Sequence, residues 1–180
     1  VNIFWLDDDL ERCASDHCNK HVVKMITEYA QLLSTAVRMS IGGTAGLMSG
    51  ETLNSETGRP SRSEGSPFLI THKNHPCAVW VRQSQDNYAL LRALGIELGA
   101  VYTRRYGKIH KSSIVLQNLP ENLVSLPDIG KTPRPLAMPD DCKVDSVVQS
   151  YRNYYRIHKR DIAQWPETEV PTWFNEVDNV

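Results

Sequence analysis

The chain has 180 residues, 41% of them apolar and 23% charged, with 20 Lys+Arg against 21 Asp+Glu. That length supports one ordinary domain with a core of its own, and the composition excludes wholesale disorder, collagen-like repeats and coiled coils. No stretch approaches the ~20 apolar residues of a membrane span. The first residues run from apolar straight into Asp7, Asp8 and Asp9, the wrong polarity for a signal peptide. The expectation is a soluble, cytoplasmic protein with no membrane partner.

In chain order, only Val1 to Leu6 shows a weak strand-like alternation. The first long periodic segment spans about Glu11 to Met39, where Val22, Met25, Ile26, Tyr29, Leu32, Leu33 and Ala36 recur at helical steps; Asp16 or Ser15 offers a cap for an inner start, and Asp9 an earlier one. From Ser40 to Pro67 the composition changes: six of the ten glycines lie here with many Ser and Thr, which predicts a long mobile loop or insertion. A second long helix is expected from Pro76, a favoured first position, to Tyr106, with Gly107 as its stop. Gly95 and Gly99 inside it predict close helix packing or a ligand approach. A short helix over Lys111 to Leu119 follows, and five prolines between 120 and 139 make an irregular connection. A third long helix is expected from Asp145 to about Gln164, and the aromatic tail Val170 to Phe174 should dock onto the body. The sequence therefore predicts a single all-α domain over 1–180, with three long helices plus shorter ones and a loop at 40–67.

Four cysteines, at 13, 18, 77 and 142, form no CxxC pair, which suits reduced thiols in a cytoplasm rather than a disulfide framework. The near-zero net charge hides an asymmetry. Residues 100–160 carry eleven Lys/Arg against five Asp/Glu, and the rest of the chain carries nine against sixteen. One basic face for a polyanion such as DNA or a nucleotide is compatible with that count, as is a solvated helix face.

His17, His21 and Glu28 fall within roughly 40° of one another on a helix at about 100° per residue, flanked by Lys20 and Lys24. Such a polar stripe points either into a cleft or to solvent as a row of i,i+4 pairs. His72 and His75 precede the second helix, where exposed N–H groups favour an anion. A divalent metal held by His17, His21, His72 and His75 is an alternative, although neither HxxxH nor HxxH is a specific motif. The densest basic run, Arg104 to Lys111, brings Arg105, Tyr106, Lys108, His110 and Lys111 together as candidate nucleic-acid contacts. Arg152 and Arg156, with Tyr151, Tyr154 and Tyr155, repeat the theme, and there the tyrosines are equally readable as core.

The stretch Asn19-Lys20-His21-Val22-Val23-Lys24-Met25-Ile26-Thr27-Glu28-Tyr29 resembles the first helix of the phage pyrimidine dimer DNA glycosylase (endonuclease V) family, with a His seven residues before a catalytic Glu. His75 to Val81, through Gly95-Ile96-Glu97-Leu98, to Arg104-Arg105-Tyr106-Gly107 is similar to that family's second long helix. The Val170-Pro171-Thr172-Trp173-Phe174 tail is similar to its Pro-Thr-Trp-Tyr ending. The chain also resembles uncharacterised phage proteins that begin Asn-Ile-Phe-Tyr-Leu-Asp.

The resemblance implies an all-helical fold and a base-excision enzyme, a glycosylase with associated lyase activity on damaged or modified pyrimidines, working without a cofactor in the host cytoplasm. The N-terminal amine, here of Val1, is then the nucleophile at the sugar C1′, and Glu28 polarises the sugar and moves the proton of β-elimination. His21 and His75 line the pocket, and Lys24, Arg82, Arg105, Lys108 and Lys111 hold the bent duplex. Two other readings stay open from the residues alone. One is a metal-dependent His/Glu hydrolase or nucleotide-modifying enzyme. The other is a non-enzymatic phage accessory protein that binds nucleic acid or a host protein.

Overall fold

Helix-forming periodicity dominates, and the computed structural model, which describes residues 1–41, 51–57 and 59–175, is correspondingly all-α. Its α-helices are α1 (Leu10–Ser15), α2 (Asn19–Ile41), α3 (Pro76–Val81), α4 (Gln85–Tyr106), α5 (Lys111–Asn118), α6 (Val147–His158) and α7 (Thr172–Asn175). Among the described residues no helix is long and apolar enough to cross a membrane.

Two of the expected long helices are broken, each at a place where polar side chains compete with the ladder. The first divides at Asp16–Cys18. Asp16 N–H closes onto Arg12 O, and the C-terminal segment fills the gap: Trp165 donates to Asp16 O (2.9 Å), Trp173 to Asp16 Oδ2 (2.6 Å), and Asn19 N–H to Gln164 O. The second divides at Arg82–Ser84. Ser84 caps α4 by accepting from Asn87 N–H, and the buried Asn87 amide donates to Trp80 O (2.8 Å) and Thr132 Oγ1 (2.6 Å). The third is shorter than expected: Ser146 caps α6, which ends at His158 and continues only as a 3-10 turn. Among the described residues there are therefore two long helices, of 23 and 22 residues, and α6 of 12 where the third long one is expected. The loop expected over 40–67 falls in part on 42–50 and 58, outside the described residues. Of the rest, Leu53 and Pro60 form an isolated bridge, and Glu51 meets the buried Arg38 of α2.

Packing follows the glycines. A Cβ on Gly95 would stand 3.0 Å from Leu116 Cδ1, and one on Gly99 would stand 2.6 Å from Ser113 Oγ, so α5 crosses α4 at the two positions without side chains. Gly107 ends α4 in the left-handed region, φ 66°. α2 packs against α4, α5 and α3, and α1 packs against α4.

The segment Val1–Leu6 forms no strand. Its side chains do not alternate between core and solvent: Ile3, Phe4, Trp5 and Leu6 are all buried. It threads as an extended segment between α2 and α6, with Phe4 N–H donating to Tyr29 Oη and the Phe4 ring against those of Tyr151, Tyr154 and Tyr155. This placement brings the start of the chain to the middle of α2.

Candidate active site

A cavity of about 230 Å³ opens where Val1, Asn2 and Phe4 meet His21, Lys24, Met25 and Glu28 of α2, Ala137 of the proline-rich connection, and Tyr154 and Lys159 at the end of α6. Glu28 is its acidic centre. Its Oε2 accepts from Asn2 N–H (3.0 Å) and lies 3.9 Å from the Val1 nitrogen, while Oε1 lies 3.3 Å from Lys24 Nζ. The carboxylate is 13% exposed and Lys24 69% exposed, so the acid is recessed beneath a solvated amine.

Asn2 fixes this arrangement. Its amide donates to Ala137 O (2.8 Å), and its Oδ1 accepts from Ile3 N–H (2.8 Å) and Tyr151 Oη (3.1 Å), tying the N-terminal segment to α6 and to the 135–138 connection. A satisfied polar network of this kind holds a backbone in one place.

One wall is aromatic: Phe4 sits 4.4 Å from the His21 ring and 5.8 Å, stacked, from Tyr154, whose other neighbours include the Lys159 ammonium at 4.8 Å. His21 is held by a hydrogen bond between Nδ1 and Tyr155 Oη, and Nε2 has no partner among the described residues. Burial first, then the charges of His17, Lys159 and Lys24, pushes its pKa down to about 3, so it is a neutral imidazole at physiological pH. His17, on the same stripe, faces the core: its ring nitrogens engage Cys13 O (2.7 Å) and Tyr29 Oη (3.0 Å), and burial pushes its pKa down to about 4.

His75 is not among the residues that line the cavity. It caps α3 by accepting from Cys77 N–H. Its pKa is lowered by burial, then by the Val1 amine and His72, and raised slightly by Glu28, so it shares the field of the site. The four histidines of the alternative metal reading do not converge: among the described residues, His17, His21, His72 and His75 contribute to no group of three close metal-binding donors. His72 engages Thr71 Oγ1 instead.

The basic candidates divide. The Arg105 side chain is 2% exposed and spends its guanidinium inside the fold, on His17 O, Ser15 O, Asn19 Oδ1 and Glu169, which corrects its assignment as a phosphate contact. Arg152 is likewise committed to Leu6 O and Asp7, and Arg156 to Trp173 O and Asn153. Arg82 donates to Lys73 O, and Tyr106 reaches Asn19 O. His110 caps α5. Lys108 and Lys111 remain exposed. The hydrogen bond between Thr27 Oγ1 and Ser112 Oγ (3.0 Å) brings the start of α5, with Lys111, beside α2 one residue from Glu28.

Sequence periodicity finds Glu28, His21 and Lys24 and misses Asn2, Ala137 and Tyr154 as site residues. Lys159 carries no local signal that sets it apart from its basic neighbours His158 and Arg160. A larger cleft of about 540 Å³ lies between α4 and α5, but its walls are mostly apolar, with Ile96, Ala100 and Ile109, and Arg104 is its one charged residue. The chemistry favours the smaller cavity. No family model, curated protein or solved structure matches the chain.

Proposed function

We propose that the chain is a DNA base-excision enzyme, a glycosylase with associated lyase activity acting on damaged or modified pyrimidines. The observation that carries this reading is the recessed Glu28 carboxylate with the Lys24 amine 3.3 Å away, in a cavity that Lys159 and an aromatic wall complete.

Amine and carboxylate together supply what the reaction needs. An unprotonated amine attacks the sugar C1′, the bond from C1′ to the base breaks, and the base leaves with the electron pair and takes up a proton. The bound amine then loses a proton, the C1′–O4′ bond opens with O4′ taking up a proton, and the resulting protonated imine makes the C2′ hydrogen acidic. A base removes that proton, the C3′–O bond breaks with departure of the 3′-phosphate, and water returns the amine. Glu28 stabilises the cationic sugar and carries the C2′ proton. The neutral His21 offers a ring nitrogen without adding a repelling charge, and the faces of Phe4 and Tyr154 suit an unstacked nucleotide. Lys24, Lys108 and Lys111 supply exposed positive charge for the phosphates on the α2 and α5 side.

Strand scission on UV-irradiated and on abasic duplexes tests the reading. Wild-type protein is expected to cleave, and Glu28→Gln to bind the duplex and leave it intact. Wild-type protein that binds neither substrate and cuts neither removes the proposal.

A further inference from the structure

Away from the cavity, one group of three metal-ligating side chains converges among the described residues: Asp141, Cys142 and His158, whose donor atoms all lie within 4.8 Å of one another. We propose that these side chains bind a divalent thiophilic cation of the zinc class, with a fourth coordination position left to solvent.

The donor set carries the choice of ion. A thiolate, an imidazole and one carboxylate suit zinc and its spectroscopic substitutes, whereas magnesium and calcium require oxygen-rich shells. The distances are close to those of a formed site. His158 Nε2 lies 2.8 Å from Asp141 Oδ2, and Cys142 Sγ lies 3.5 Å from Asp141 Oδ1. Donors bound at about 2.0–2.3 Å around a tetrahedral ion stand roughly 3–4 Å apart, so small side-chain rotations complete the geometry. Cys142 is buried and the other two are exposed, which places the soft donor at the floor and opens the outer face to water.

The surroundings hold the donors in place. Cys142 and Asp141 sit on a 3-10 turn, Asp140–Cys142, packed against α6, and Asn153 of α6 donates to Cys142 O (3.2 Å). Asn153 is itself fixed by Arg156 (2.7 Å) and Gln149 (3.0 Å). Metal binding takes the thiolate form of Cys142 and releases its proton. A nucleophilic triad is the competing use of these residue types. It requires the imidazole against the thiol, and here the carboxylate stands between them.

The proposal does not depend on the base-excision reading. A cation here pins His158, the last residue of α6, to the 140–142 turn, immediately before Lys159 of the cavity.

The test is titration of the untagged, chelator-treated chain with cobalt(II), followed by zinc competition against a chromophoric chelator. The expected result is one equivalent per chain, with a thiolate-to-cobalt charge-transfer band and the visible bands of a four-coordinate ion. His158→Gln, an exposed substitution, is expected to weaken binding on the order of tenfold or more, and Cys142→Ser to abolish the charge-transfer band. Should Cys142→Ser fail to fold, the wild-type band and the His158→Gln affinity decide the matter. Absence of the band in the wild type, or unchanged affinity in His158→Gln, overturns the proposal.

Discussion

Replacing Arg105 with alanine removes a guanidinium that the fold has enclosed. It donates to His17 O at 2.8 Å, to Ser15 O at 2.9 Å and to Asn19 Oδ1 at 3.3 Å, and it pairs with Glu169 at 2.8 Å. The two carbonyls belong to the end of α1 and the break before α2, so the side chain of α4 closes the gap between them. Hydrogen bonds to a charged group are worth about 1.5–3 kcal/mol each, but solvent screens the partly exposed Glu169, and the carbonyls left behind regain some water. Glu169 is 26% exposed and keeps Arg104 as a partner, so the net expected loss is about 2–3 kcal/mol, set mainly by the buried bonds to the backbone carbonyls. Arg105→Lys keeps the charge without the fork and is expected to recover about half of it. Urea unfolding gives the stabilities, and DNA affinity measured against salt on the folded Arg105→Lys protein gives the functional arm. A loss below about 1 kcal/mol for Arg105→Ala, or a salt dependence of DNA binding that falls by one phosphate contact in Arg105→Lys, refutes the structural assignment.

Gly99→Ala places a methyl 2.6 Å from Ser113 Oγ, a hydroxyl that is buried with no hydrogen-bond partner, and is expected to destabilise by about 1–2 kcal/mol by thermal unfolding. In a Ser113→Ala background only the 3.3 Å approach to the Cβ of residue 113 remains, so the cost is expected to shrink as the helix-propensity gain of about 1 kcal/mol offsets it; a cost of the same size in both backgrounds contradicts the contact. His17 is neutral when folded, so the unfolded chain takes up its proton first as pH falls. The stability from this group is fully present above pH 6.5 and is lost toward pH 4, about 3 kcal/mol for a pKa lowered from 6.5 to about 4. His17→Gln is therefore expected to flatten the stability profile between pH 6.5 and 4.5, and an unchanged slope rules this out. Trp173→Phe deletes the 2.6 Å donation to Asp16, whose carboxyl pKa is already raised by burial. The expected loss is about 1–3 kcal/mol at neutral pH and less in acid, where the carboxyl is protonated; denaturation at the two pH values checks it.

The helical class is legible in the three- and four-residue spacing of Val22, Met25, Ile26, Tyr29 and Leu33, and so is the stripe that carries His21 and Glu28. The first helix break shows in the sequence only as Ser15 or Asp16 offering a cap, and the second does not show at all, because both depend on partners far along the chain: Trp165 and Trp173 fill the first, and Thr132 holds Asn87 at the second. Half of the candidate site was hidden for the same reason. Asn2 reaches Glu28 across 26 residues and Ala137 across 135, and Tyr154 and Lys159 arrive on a separate helix. Local periodicity carries no information about such pairings. Charge counting misleads in its own way, since it cannot distinguish Lys108, left in solvent, from Arg105, three residues earlier and enclosed. His17 shows the limit of a stripe: it lies on the same face as His21, yet Tyr29 and the Cys13 carbonyl satisfy it in the core.

The most direct measurement is borohydride trapping on a duplex carrying a single abasic site, with peptide mapping of the product. The account predicts a covalent protein–DNA adduct whose linkage maps to an amine of the Glu28 cavity, Lys24 or Lys159. No adduct, or one confined to a lysine elsewhere in the chain, contradicts it.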